Sequence, residues 1–121
     1  MTKAAEALYA WFTQFDLPVY LADDVPDEAE LPYITVSLQE PEWNMKATLA
    51  VQVWYYTKSN VQVMSKADEI VGSIGQGLRI PFDGGMVILW PETPLAQLIV
   101  EDNVRRAYIN LSINSYHLSG E

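Results

Sequence analysis

Two stretches, 2–15 and 59–78, place an apolar residue every three to four positions, and each stands ahead of segments where apolar residues recur every second position. The first period belongs to the helix and the second to the strand, so a chain written in this order has few folds open to it. In the first stretch Ala4, Leu8, Trp11, Phe12 and Phe15 share one helix face, with Thr2 placed to cap it. Asp16-Leu17-Pro18 ends that helix. In the second stretch Val63, Ala67, Ile70, Val71, Ile74 and Leu78 form the apolar stripe. Ser59 or Asn60 is its cap, and Lys66, Asp68, Glu69 and Gln76 lie on the solvent side. Gly72, Gly75 and Gly77 weaken its last turns by up to about 1 kcal/mol each relative to Ala. They are expected to combine a helix stop with close packing of helix on sheet.

The alternating segments are 19–21, 33–39, 45–57, 86–90, 95–101 and 104–116. The strongest is 45–57, with Leu49, Val51, Val53 and Tyr55 on one face and Thr48, Ala50, Gln52, Trp54 and Tyr56 on the other. That second face is not simply polar. Trp54 and Tyr56 call for a cover, which the second helix, a loop or a neighbouring subunit would supply. Residues 40–44 connect two strands, and 81–85 (Pro81-Phe82-Asp83-Gly84-Gly85) read as a turn. Residues 96–101 and 104–109 form a hairpin about Asp102-Asn103. The expectation is one α+β domain over residues 1–121, in the order α-β-β-β-α-β-β-β. Its sheet is mostly antiparallel or mixed, with the helices packed on one face.

Chemistry is sparse. There is no Cys, which removes disulfides, thiolate metal sites and thiol nucleophiles together. His117 is the single His and has no acidic neighbour in sequence to orient it as a base. Gly72-Ser73-Ile74-Gly75-Gln76-Gly77 ends a helix, whereas a phosphate loop opens one. No catalytic residue, cofactor or metal site is expected, and the chain is read as a non-enzyme.

Charge supplies the next constraint. Sixteen acids against seven bases give a net charge of -9. Such a domain has no electrostatic reason to hold nucleic acid or an anionic membrane. No Lys or Arg falls between Lys3 and Lys46, and Asp23, Asp24, Asp27, Glu28 and Glu30 crowd one Pro-punctuated loop there. This loop is a solvated surface, or a face turned toward DNA or a basic partner. Its spacing lacks the pivot glycine of an EF-hand. Arg105 and Arg106 sit on one strand and point to opposite faces, so they make no basic patch, and one of them is placed to pair with the acidic loop, within the chain or across a subunit interface. The N-terminus has no long apolar run of the signal-peptide kind, and no segment has the about 20 apolar residues of a membrane span.

Several segments together resemble the tail terminator, or tail-completion, proteins of long-tailed bacteriophages and prophages. They are the opening helix ending at Phe15-Asp16-Leu17-Pro18-Val19-Tyr20, the strand entry Leu31-Pro32-Tyr33-Ile34-Thr35-Val36, and the long strand Ala47-Thr48-Leu49-Ala50-Val51-Gln52-Val53-Trp54-Tyr55. The helix with Ala67-Asp68-Glu69-Ile70 and the closing strand Arg106-Ala107-Tyr108-Ile109-Asn110-Leu111 complete the set. Head-side connectors and other minor virion proteins share much of this layout. The resemblance implies a homo-oligomeric ring, usually a hexamer, that caps the tail tube, stops its growth and offers the head a joining surface. Implied partners are other copies of the chain, the tail tube protein and a head completion or connector protein. DNA would pass through without specific binding. The implied location is the head–tail junction of the virion, and the host cytoplasm during assembly. Candidate interface residues are Trp43, Trp54, Tyr56, Tyr108 and Asn110, and the loop with Asp23, Asp24, Asp27, Glu28 and Glu30 is the candidate lumen or rim. A different class, a small ligand-binding or hydrolytic domain using the acidic loop, would instead require a deep pocket lined by acids.

Overall fold

A computed structural model describes residues 3–37 and 47–117. The first helix, α1 (Lys3–Phe12), buries Ala4, Ala5, Leu8 and Phe12, and its last turn tightens into a 3-10 segment at Thr13–Phe15. Trp11 sets its ring edge-on to Phe12 and Phe15 at 4.9 and 5.2 Å, closing the end of the stripe. Asp16 then adopts φ 63, a left-handed turn that Asp tolerates better than most residues, and the helix stops. The proposed cap Thr2 lies outside the described residues, as do the 40–44 connection and Trp43.

Three strands follow, β1 (Val19–Leu21), β2 (Tyr33–Ser37) and β3 (Ala47–Tyr56), then helix α2 (Val61–Ile74). The Ser59 hydroxyl accepts the Val61 N–H at 3.2 Å, while Asn60 occupies the cap position without a side-chain bond of its own. Strands β4 (Leu78–Phe82), β5 (Gly85–Glu101) and β6 (Val104–His117) complete the order expected from the sequence. Among the described residues these six strands form one sheet in the order β1-β2-β3-β6-β5-β4. β1 and β2 are parallel and every other pair is antiparallel. The fold is α+β with a mixed sheet.

Both helices pack on one face. Leu49, Val51 and Val53 of β3 and Ala107, Ile109, Leu111 and Ile113 of β6 share one buried core with Leu8, Phe12 and Phe15 of the first helix and Val63, Ala67, Ile70 and Ile74 of α2, with α1 against β4 and β5 and α2 against β3, β5 and β6. Two polar ties fix the helices on this core. The Tyr9 hydroxyl donates to the Val19 carbonyl. Lys66 Nζ reaches the Phe15 carbonyl at 2.8 Å and Glu69 Oε1 at 2.8 Å, joining α2 to the end of the first helix. No helix among the described residues is long and apolar enough to cross a membrane.

The second half departs from the expected boundaries. α2 ends at Ile74, and Gly75 caps it with φ 63 while donating its N–H to the Val71 carbonyl at 2.9 Å. Leu78 belongs to β4, which continues through Pro81 and Phe82 where a turn was expected. Only Asp83 and Gly84 form the turn. The expected close approach of helix and sheet at glycines is not found. A Cβ placed at Gly72 or Gly75 meets nothing within 4 Å, and at Gly77 the nearest atom is 3.9 Å away. The crowded glycine is Gly85, where a Cβ would collide with the Tyr116 carbonyl oxygen and the Phe82 ring. Segments 86–90 and 95–101, expected as separate strands, are parts of the single strand β5. Its register on β6 shifts between Pro91 and Ala96, so residues 92–95 stand against Asn110 alone. Such an irregularity absorbs the missing N–H of Pro91 and bends the strand without ending it.

Candidate interaction surface

Strand period decides what the helix-free face carries. Because Leu49, Val51 and Val53 point into the core, Thr48, Ala50, Gln52, Trp54 and Tyr56 point away from it. Pairing with β6 sets Trp54 beside Arg106, Gln52 beside Tyr108 and Ala50 beside Asn110. Pairing with β2 adds Tyr33 beside Trp54 and Thr35 beside Gln52. Four of the five candidate interface residues, Trp54, Tyr56, Tyr108 and Asn110, therefore share one face, and the fifth, Trp43, is outside the described residues.

A band of side chains crosses this face. Tyr20 lies edge-on to Tyr33 at 5.4 Å, and Tyr33 tilts against Trp54 at 6.2 Å. The Arg106 guanidinium stands 4.9 Å from the Trp54 ring centre, a cation–π arrangement. Its two terminal nitrogens donate to Gln52 Oε1 at 2.7 Å and Glu101 Oε1 at 3.0 Å. The Trp54 indole donates to Thr35 Oγ1 at 2.9 Å, and Thr35 is buried beneath the band. Further along, the Ser112 hydroxyl donates to Glu92.

This arrangement answers the need for a cover over Trp54. Its own neighbours Tyr33 and Arg106 shield it, while α2 lies on the opposite face. Among the described residues Tyr56 has no such shield. It is 67% exposed and holds one long contact, accepting from Asn103 Nδ2 at 3.4 Å. The sequence could not show that Tyr33 and Arg106 enclose Trp54. Those contacts depend on pairing across 21 and 52 positions of chain.

Within one chain the arginines do not pair with the acidic loop. Arg106 takes Glu101, and Arg105 donates to the carbonyls of Asp102 at 2.6 Å and Lys58 at 3.2 Å. Arg105 thereby ties the β5–β6 turn to the β3–α2 connection. Register decides this, since residue 105 faces the helix side and residue 106 the helix-free side. In the β1–β2 loop Asp23, Asp24, Asp27, Glu28 and Glu30 are all exposed. Two backbone bonds of 3.0 Å shape it, from Asp24 N–H to Leu21 and from Ala29 N–H to Pro26. Among the described residues no group of three His, Asp or Glu side chains is placed to hold a metal.

The fold and this surface define an α+β chain with one helix-covered and one helix-free sheet face. No family model matches the chain, and no curated protein or solved structure matches it either.

Proposed function

We propose that this chain is a subunit of a homo-oligomeric ring that caps the tail tube of a long-tailed phage or prophage. The ring ends tube elongation and presents the surface to which the head joins. Its partners are further copies of itself, the tail tube protein and a head completion or connector protein, and it acts at the head–tail junction. The supporting observation is the helix-free face, where Trp54, Tyr56, Tyr108 and Asn110 lie together and Tyr56 stands largely unshielded. Exposed Tyr beside a pre-ordered Trp–Arg band is the composition favoured in protein interfaces. The resemblance of the sequence pattern to tail terminators points the same way, and the exposed acids of the β1–β2 loop suit a rim or lumen that repels DNA.

Light scattering across a wide concentration range, with negative-stain imaging, tests this reading. The expected result is rings of about six copies of the 13.7 kDa chain. Tyr56→Ala and Tyr108→Ala should lower the ring fraction while each variant stays folded. Rings untouched by both substitutions would remove the helix-free face from the interface, and failure to form rings with or without tail tubes would sink the terminator reading.

A further inference from the structure

Three stretches of the sheet's edge are treated differently by the chain. On the outer side of β1 the Val19 carbonyl accepts the Tyr9 hydroxyl, and the Leu21 carbonyl accepts the Asp24 N–H at 3.0 Å. That edge is closed by the chain's own donors. β4 carries Pro81, which has no N–H, and α1 packs against it. The third edge is the distal part of β5. β4 pairs with residues 85–89 only, so among the described residues no strand lies beside residues 96–101 on that side.

This segment reads Ala96-Gln97-Leu98-Ile99-Val100-Glu101. It has no Lys and no Pro, and the irregularity of β5 comes before it. The devices that discourage strand addition at the other two edges are missing here. Leu98 is 36% and Val100 52% exposed, both on the helix side, opposite Ala107 and Arg105. Alternate residues of the segment turn their N–H and C=O groups away from β6, toward the open edge.

We infer that residues 96–101 form a two-fold interface with the same segment of a second copy of this chain, by antiparallel strand addition. The segment is complementary to itself. With the axis at Leu98, Leu98 faces Leu98, Ala96 faces Val100 and Gln97 faces Ile99, so no charge meets a like charge. That matters for a chain of net charge -9, because most of its surface repels a second copy and residues 94–100 are a strip without charge. The contact is independent of the ring reading. It uses an edge and not the helix-free face, and a two-fold contact does not by itself close a six-membered cycle.

The chain has no Cys, so Leu98→Cys introduces its only thiol. Directly opposed antiparallel residues have Cα atoms about 4.5–5.5 Å apart, within disulfide reach. Mild oxidation of the full chain should link Leu98→Cys into dimers about tenfold or more faster than Val61→Cys, a control that is 70% exposed on α2. Leu98→Lys, which sets two ammonium groups against each other, should raise the dimer dissociation constant about tenfold or more in sedimentation. Circular dichroism confirms that each variant keeps its fold. Equal cross-linking rates at 98 and 61 would overturn the proposal, as would native protein that sediments at single-chain mass at every concentration. A dimer that survives Tyr56→Ala, while rings do not, separates this contact from the ring interface.

Discussion

Trp54 and Tyr56 sit two positions apart on one strand face, yet their neighbours give them different work. Trp54 is enclosed by Tyr33, Arg106 and the Thr35 hydroxyl, so it braces three strands. Trp54→Ala should lower the unfolding free energy by about 2 kcal/mol, through lost ring contacts and an unpaired Thr35 hydroxyl. Urea denaturation measures it. Tyr56→Ala removes a side chain already in water and should stay within about 0.5 kcal/mol of the native chain, while lowering assembly in light scattering. If Tyr56→Ala destabilised the monomer as much as Trp54→Ala, the separation of bracing from docking would be wrong. Both residues were legible in the sequence as aromatics on the otherwise polar face of the strongest strand. Their separate roles were not, because the residues that shield Trp54 come from β2 and β6.

Among the elements, the glycines at the end of α2 show how the same residue type serves opposite needs. Gly72 is inside the helix, exposed, with open space around a would-be Cβ. Gly72→Ala should therefore stabilise the protein by about 0.5 kcal/mol, through lower entropy of the unfolded chain. Gly75 has equal space but φ 63, so Gly75→Ala should cost about 1–2 kcal/mol. Paired thermal melts of the two variants should shift in opposite directions. Gly85→Ala should cost about 1–3 kcal/mol, because the Tyr116 carbonyl in the way is backbone and cannot step aside. α1, β3, β6 and the turn at Asp102-Asn103 were legible because their signals are local: a helical stripe, clean alternation, and an Asp able to take φ 52. β4 was hidden. Leu78 prolongs the stripe of α2, and Pro81 reads as punctuation. Only pairing with β5 makes this segment a strand.

For the whole molecule, net charge sets a rule for assembly. Copies carrying -9 each repel one another, and salt screens that repulsion. Raising ionic strength from about 0.01 M to about 0.15 M shortens the Debye length from about 30 to about 8 Å. The larger species in light scattering should then grow, and a decrease would mean that attraction between unlike charges holds the copies together. The sequence by itself determined the α+β class, the two helices, the strands β3 and β6, the inward face of β3 and the acidic surface. These follow from side-chain period and charge, which a chain carries locally. The tertiary structure decided which strands are neighbours, that 86–90 and 95–101 continue as one strand through Pro91, and that among the described residues no strand lies beside residues 96–101 on the β4 side. It also decided that Trp54 is shielded and Tyr56 is not. Backbone pairing and side-chain enclosure are contacts between distant positions, and a local period does not specify its partner.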